Sequence, residues 1–424
     1  MNESLTIERI GHRGDGIAAT PAGEVFVPYA LVGETVETAV EPDHPDRRRL
    51  VRIVSPSVER AAPICPHFGT CGGCTTQHWQ LAPYLAWKRQ LVIDALRLEG
   101  IETDTDDTPR DAHVDTAGKP YVDACIDAHG EGRRRVTLHA RGGAVGFMAA
   151  RAHRLVEIAQ CPVLAPTLAG ALPAARAIAQ ALRTGKPLDI QITVTDSGLD
   201  IDVRGSGRLN ATEAGALARI AVDHRLARLT RHGELVAQNV TPQMRIGNAA
   251  VAPPPGVFLQ ATQAGEEALA ALVAGNIGQA KRIADLFCGI GTFALRLASA
   301  APVLAADSEG DAVNALKKAA AATRGLKPIE TQARDLFRRP MQPLDLKGVD
   351  AVVFDPPRQG AQAQAEAIAV SKVPVVVAVS CNPTTLARDL RILINGGYRL
   401  TRVTPVDQFR YSPHVEVVGR LEKD

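Results

Sequence analysis

At 424 residues with 46% apolar side chains, the chain exceeds the usual size of one hydrophobic core, so two or three domains are expected. A formal net charge of +2 supplies no global attraction for a polyanion, and no run approaches the roughly 18–20 uncharged residues of a membrane span. The N-terminus, MNESLTIERIGHRGDGIAA, lacks the charged start, apolar centre and small-residue cleavage site of a secretory signal, which predicts a cytoplasmic protein.

Residues 1–57 alternate short apolar runs (LTIERI, EVFVPYALVGETVETAV, RRLVRIVSP) with glycine and proline. That pattern predicts a small all-β barrel, serving either as an oligonucleotide-binding face or as a structural module. A compact cysteine loop follows at 63–74, then WKRQLVIDALRL (Trp87 to Leu98) with helical spacing ended by Gly100. Residues 101–120 are acidic and turn-rich, which predicts a surface connection. The runs VDACIDA, RRRVTLHA, AVGFMA and RLVEIA predict strands, and DIQITVT and LDIDVRG flank Asp196-Ser197-Gly198 as a hairpin. With an Ala-rich helix near 166–183, this central region reads as an antiparallel α+β domain. Arg47-Arg48-Arg49, Arg133-Arg134-Arg135 and the Arg151/Arg154 pair can each meet phosphates or lie on a solvated face.

Seven cysteines, odd in number and unevenly spaced, predict metal or catalytic use over a disulfide framework. Cys65, Cys71 and Cys74 follow C-x5-C-x2-C, with Cys161 distant. An iron-sulfur cubane takes four thiolates, but tetrahedral zinc also accepts four cysteines, and His67 or His78 can substitute, so spacing leaves both open. Cys125 and Cys288 sit in apolar contexts that predict burial.

From 251–258 onward the pattern becomes strand, helix, strand: RIADLF, PVLAAD, DAVVFD and VPVVVAVS alternate with Ala/Leu-rich helical segments. The chain thus divides into 1–57, 58–250 and 251–424, the last an α/β unit with a mostly parallel sheet and ligands at the strand C-terminal ends. The first strand runs into DLFCGIGTFAL, where Gly289 to Ala294 satisfies a dinucleotide-binding spacing and Asp307 ends the next strand. Asp285, however, stands where a pyrophosphate would be repelled and a sulfonium ligand with an ammonium group would be attracted. In VVFDPPRQG, two prolines cannot continue a ladder and hold a rigid turn at the sheet edge, where a flat base can lie. In VSCNPTTLARDL, an apolar strand ends at Cys381, either a buried filler or a nucleophile. Thr384 or Thr385 is expected to cap the next helix, and a helix start beside the thiol to favour its thiolate.

DLFCGIGTF, DPPRQG, SCNP and the C-terminal HVE, in that order, resemble the uracil-C5 RNA methyltransferase family. GDGIA and VFVPYALVGE resemble its TRAM barrel, an OB-like fold, and CPHFGTCGGCTTQH with Cys161-Pro162 resembles the iron-sulfur motif of its 23S ribosomal-RNA branch. The resemblance implies a Rossmann-like class I methyltransferase domain that uses S-adenosylmethionine. It implies a [4Fe-4S] cluster on Cys65, Cys71, Cys74 and Cys161, structural or RNA-positioning in role. Cys381 would add to uracil C6, raising electron density at C5 for methylation, and Glu416 would remove the C5 proton. Gln260, Phe287, Asp307 and Asp335 would surround the cofactor with Asp285 and Gly289 of the loop, and Asp355 would line the same cleft and hold uracil.

The substrate implied is RNA, with ribosomal RNA ahead of transfer RNA; no membrane and no obligate protein partner are expected, and the chain is read as a monomer. Thr262, Asp307, Arg410 and Ser412 depart from the family pattern, which bears on RNA choice. Pro357 stands where a cytosine-C5 enzyme would have cysteine, and Arg358 where an amino-group methyltransferase would have an aromatic residue. An NAD-linked iron-sulfur oxidoreductase would leave Asp-Pro-Pro-Arg and Ser-Cys-Asn-Pro without roles. A noncatalytic RNA-binding protein would have no use for Cys381 and Glu416.

Overall fold

The computed structural model describes residues 2–104, 119–182, 186–205 and 207–423. Most of the acidic connection expected over 101–120 lies outside the described residues.

The N-terminal unit is all β, in the order Asn2–Thr6, Thr35–Glu41, His44–Ser55, Gly23–Val27, Gly16–Thr20, Arg9–Ile10. The strands at the two ends of this order are consecutive pieces of one chain segment, so the sheet closes on itself around Ile7, Ala18, Val25, Val27 and Val36. Closure removes the unpaired edges that an open sheet of this size would expose.

The central unit is a seven-stranded sheet: Leu155–Glu157, Ala144–Met148, Arg135–Arg141, Leu188–Thr195, Gly198–Gly205, Arg228–Arg231, Glu234–Gln238. The expected hairpin is present, pairing Leu188 with Gly205 through to Thr195 with Gly198. Asp200 pairs with Arg228 in a parallel step, so the sheet is mixed where sequence alone suggested it to be antiparallel. Helices Ala171–Leu182 and Ala211–Asp223 contribute Ala174, Ala175, Ile178, Leu217 and Ala221 to the core on this sheet.

The third sheet has nine strands, in the order Ile329–Ala333, Val303–Asp307, Ile283–Leu286, Ala351–Phe354, Val375–Ser380, Glu416–Glu422, Arg399–Asp407, with Tyr121–Val122 and Ile126–Asp127 on the last edge. The five strands from Ile329–Ala333 to Val375–Ser380 are parallel, and Glu416–Glu422 is antiparallel to both its neighbours. Nearly continuous apolar runs such as VVVAVS suit strands buried on both faces. Alternation divides them: Ala284, Leu286, Val352, Phe354, Val376 and Ala378 face one core, while Ile283, Ala351, Val353, Val377 and Val379 face the other.

The VDACIDA run is not a central-domain strand. Its two short pieces pair in parallel with Arg399–Asp407 of the third sheet. Helix Leu81–Leu98 packs on the same layer, placing Val92, Ile93 and Leu96 in the core with Leu386 and Leu390. The third sheet and its helical layer therefore draw on residues 81–98 and 121–127 as well as on 251–424. Helix Leu81–Leu98 also carries Lys88, fully buried, whose Nζ donates to Asp407 Oδ1 at 2.8 Å and to the His414 carbonyl. Breaking such a pair strands a buried charge. Lys88→Ala is expected to cost about 3–5 kcal/mol of stability, read as a lower urea midpoint at unchanged slope. A loss below about 1 kcal/mol would mean that the pair is replaced by solvent. Among the described residues, no helix is long and apolar enough to cross a membrane.

Candidate active site

The loop after Ile283–Leu286 turns sharply at three left-handed residues, Phe287 (φ 62°), Gly289 (φ 54°) and Gly291 (φ 96°). A side chain at Gly291 would meet Leu316 Cδ1 at 2.5 Å, whereas one at Gly289 would project into open space. Gly291 therefore permits loop-on-helix packing, and Gly289 leaves room for a ligand against the backbone. Asp285 lies fully buried beneath this loop; its Oδ2 accepts from the Ala294 N–H at 2.8 Å, and Oδ1 has no partner. Burial raises its pKa to about 8.

Asp307 ends the next strand, its Oδ2 accepting from Gly289 N–H at 2.9 Å and its Oδ1 from Glu309 N–H at 2.9 Å. Asp335 Oδ1 accepts from the N–H groups of Phe337 (3.0 Å) and Arg338 (3.2 Å) in a turn. That turn brings Phe337 to Phe287, ring centroids 5.3 Å apart. Phe287, Gly289, Asp307 and Asp335 thus gather at the C-terminal ends of three adjacent parallel strands, where open α/β sheets take their ligands. Phe337 was not singled out from sequence.

One strand further along, Asp355 and Cys381 leave adjacent parallel strands, and Glu416 opens the antiparallel neighbour. Asn382 and Thr385 tie the two loops together: Asn382 Nδ2 donates to the Arg358 carbonyl at 3.0 Å and Thr385 Oγ1 to the same carbonyl at 3.1 Å. The helix cap is Asn382, whose Oδ1 accepts from Thr384 N–H at 3.2 Å, and not either threonine. Pro383 at the first helical position leaves the N–H of Thr384 for the cap to satisfy.

Two amides span the cleft floor. Gln260 Nε2 donates to Asp355 Oδ2 at 3.1 Å, while Gln408 Nε2 donates to Glu416 Oε1 at 2.9 Å and to Gln260 Oε1 at 2.5 Å. Gln260, Gln408 and Glu416 are all buried. Burial raises the pKa of Asp355 and of Glu416, and for Glu416 the Asp355 charge adds to it. Cys381 is also raised, to about 11, first by burial and then by the charges of Glu416 and Asp355. The expected thiolate is therefore not the resting form. Two carboxylates outweigh Arg358, which lowers the thiol through charge and a hydrogen bond. His414 falls to about 4 through burial and the nearby Arg358, Lys88 and Arg133 charges, so its ring is neutral at physiological pH.

The segment carrying these residues is held from outside the sheet. The Tyr411 carbonyl accepts from Thr75 N–H (2.7 Å) and Thr76 N–H (3.3 Å), just past the cysteine loop, and Tyr411 N–H donates to Tyr84 Oη at 3.0 Å. Arg410, one of the departures from the family pattern, pairs with Asp127, and Ser412 Oγ donates to the Phe409 carbonyl at 2.7 Å. Thr262, another, caps helix Gln263–Ile277 by accepting from Gly265 N–H at 2.8 Å.

Cys65, Cys71, Cys74 and Cys161 line one cavity of about 230 Å³ with His67, Arg133 and Arg135. None of the four forms a disulfide, and each is partly buried. Burial raises Cys71 and Cys161, and takes Cys74 to about 11. Among the described residues no three His, Cys, Asp or Glu side chains converge on a single metal position. His67 Nε2 accepts from Ala159 N–H at 3.2 Å, and His78 stacks beside Tyr29 and Phe68 with both ring nitrogens unpartnered.

Residues 258–424 match the family model described as tRNA (Uracil-5-)-methyltransferase. An RNA methyltransferase of Brucella suis is 44% identical over 99% of this chain and 97% of its own length. The chain belongs to the uracil-5 RNA methyltransferase family. A 23S rRNA (uracil(1939)-C(5))-methyltransferase of Vibrio parahaemolyticus is 29% identical across 100% of this chain and 96% of its own length. The crystal structure of a Pyrococcus abyssi tRNA (uracil-54, C5)-methyltransferase, in complex with S-adenosyl-L-homocysteine, shares the fold: TM-score 0.70 over 99% of this chain and 100% of that one, at 20% identity. An RNA uracil-5 methyltransferase is neither an NAD-linked oxidoreductase nor a noncatalytic RNA-binding protein, and both alternatives fall.

Within this family member, the sequence pointed to both ends of the cleft but missed Gln408, Lys88 and Phe337. Gln408 and Lys88 had no local signal: Lys88 stands beside Arg89 and Gln90, and Gln408 beside Asp407.

Proposed function

We propose that the protein uses S-adenosylmethionine to convert uridine to 5-methyluridine in large-subunit ribosomal RNA, with Cys381 as nucleophile and Glu416 as base. The observation that carries this reading is the convergence of Cys381, Asp355 and Glu416 at the C-terminal end of the parallel strands, beside a glycine loop with room for a ligand. The target base, flipped from its stack, would enter between the Asp355 and Cys381 loops. Cys381 Sγ adds to uracil C6 and the displaced electron pair makes C5 nucleophilic. S-adenosylmethionine, when bound by Phe287, Gly289, Asp307 and Asp335, supplies the electrophilic methyl group. Glu416 then takes the C5 proton, the C5–C6 double bond re-forms, and the C6–S bond breaks to return the pair to Cys381. Asp355, held by Gln260, keeps the uracil ring in place.

A thiol raised to about 11 is a poor nucleophile at rest, which protects it from the methyl donor until a base is bound. Cys381 and Glu416 both carry raised pKa values, so each reaches its working, deprotonated form only as pH rises. The single-turnover rate is therefore expected to climb from about pH 6 to about pH 9. A rate that falls across this window would contradict the assignment of these two groups.

Four partly buried cysteines line one cavity, a donor set that suits either zinc or a cluster, and the resemblance of CPHFGTCGGCTTQH with Cys161-Pro162 to an iron-sulfur motif favours the cluster. Cys65, Cys71, Cys74 and Cys161 would hold a [4Fe-4S] cluster that cross-links the 65–74 loop to residue 161. Anaerobically purified protein is expected to contain iron and acid-labile sulfide; stoichiometric zinc without iron would remove the cluster. The closed N-terminal barrel is read as a TRAM module on the RNA path, because Arg47 and Arg49 of the barrel line a cavity of about 570 Å³ with Arg151 and Thr75.

Ribosomal RNA is favoured over transfer RNA by the full-length similarity to the Vibrio enzyme. Reaction with unmodified 23S rRNA fragments and with tRNA transcripts, followed by nucleoside mass spectrometry, is expected to yield 5-methyluridine in the 23S fragments. Product in tRNA alone would assign the transfer-RNA activity.

A further inference from the structure

Gln408 is fully buried, and all four of its side-chain hydrogen bonds are directional. Its Oε1 accepts from the backbone N–H groups of Ala261 (2.8 Å) and Thr262 (3.4 Å). Those donors cannot be reversed, so the amide has one orientation only, with its NH₂ facing Glu416 Oε1 and Gln260 Oε1. Gln260 Oε1 is thereby an acceptor, and its own NH₂ must face Asp355. Two backbone groups at 261–262 thus set the polarity of a chain that ends on both carboxylates of the cleft.

We propose that Gln408 is a positioning residue for proton removal: its NH₂ fixes Glu416 through Oε1, leaving Oε2 to take the C5 proton, and through Gln260 couples that carboxylate to Asp355. The inference rests on the reading of Glu416 as base. The N–H donated to Oε1 favours the ionised form of Glu416, opposing burial and the Asp355 charge. The other charged groups that bear on Glu416 are Arg358 and Lys88, which also lower it, and the Cys381 thiol beside it. None of these is replaced in the variants below.

Two substitutions separate positioning from scaffolding. Gln408→Met removes both the donor and the backbone anchor. Gln408→Glu keeps an acceptor for Ala261 and Thr262 but turns the donor face into a negative charge against Glu416. With RNA and S-adenosylmethionine in rapid-quench reactions, both variants are expected to accumulate methylated, denaturant-stable RNA adduct. Release should slow by about 10²-fold or more. The pH midpoint of release should move upward by at least about one unit, more in Gln408→Glu than in Gln408→Met. A purely structural role would lower the melting temperature or cofactor affinity without moving that midpoint, and above all would spare Gln408→Glu. Glu416→Gln is run beside them. If it releases product normally, the base reading fails; if it stalls while both Gln408 variants keep the wild-type midpoint, the Gln408 inference alone is overturned.

Discussion

Cys381→Ala is expected to abolish 5-methyluridine formation, by at least about 10⁴-fold in single-turnover rate, with folding and RNA binding intact. The size follows from the chemistry. Uracil C5 does not attack a methyl sulfonium unaided, and the side chain placed by the edge of Val375–Ser380 to add at C6 is the thiol of Cys381. Cys288, the other cysteine near this cleft, is buried under the glycine loop and its thiol is pushed far up by burial, so it is no substitute. Cys381→Ser should be nearly as severe, since a hydroxyl ionises less readily than even this raised thiol. Stability should change little, because Cys381 is only partly buried and its removal leaves the Asn382 cap and the Arg358 tether untouched. Activity within tenfold of wild type, measured as 5-methyluridine by mass spectrometry, would overturn the role of Cys381.

Glu416→Gln is expected to fail later in the reaction. The glutamine has nearly the same shape and can still accept from Gln408 Nε2, so the cleft should assemble and Cys381 should still add. Removal of a negative charge that raises the thiol should even ease that addition. What is lost is the only carboxylate held at the start of Glu416–Glu422 for the C5 proton. A denaturant-stable RNA adduct should therefore build up while product release falls by about 10²–10⁴-fold. Release at the wild-type rate with no adduct would assign the proton to another group. Asp355 would then be the first to replace, as the next carboxylate in the same hydrogen-bonded chain.

The features legible in the sequence are those written locally. Short apolar β-branched runs ending in Gly-x-Gly, Asp-Pro-Pro or Ser-Cys-Asn-Pro announce strand ends, and all three ends meet along one sheet. Long-range pairing was not legible. Gln408 finds its amide partner 148 residues away, and Lys88 its carboxylate 319 residues away, so neither shows in any spacing. The two-residue strands at 121–122 and 126–127 carry too little pattern to name their sheet, and they join the edge that Arg399–Asp407 leaves open. Ionisation was misjudged for the same reason. A helix start near Cys381 is visible in the sequence, but the burial that chiefly raises the thiol, and the carboxylates that add to it from positions 355 and 416, are not.

The central claim is a bond between Cys381 Sγ and C6 of the target uracil, and RNA carrying 5-fluorouridine at the target tests it most directly. Fluorine cannot leave C5 as a proton would, so the cycle should stop after methylation with the enzyme still attached. Nuclease and protease digestion followed by mass spectrometry should then find methylated fluorouridine on the peptide that contains Cys381. A nucleotide attached to a different cysteine, or no attachment while uridine in the same RNA is methylated normally, would contradict the account.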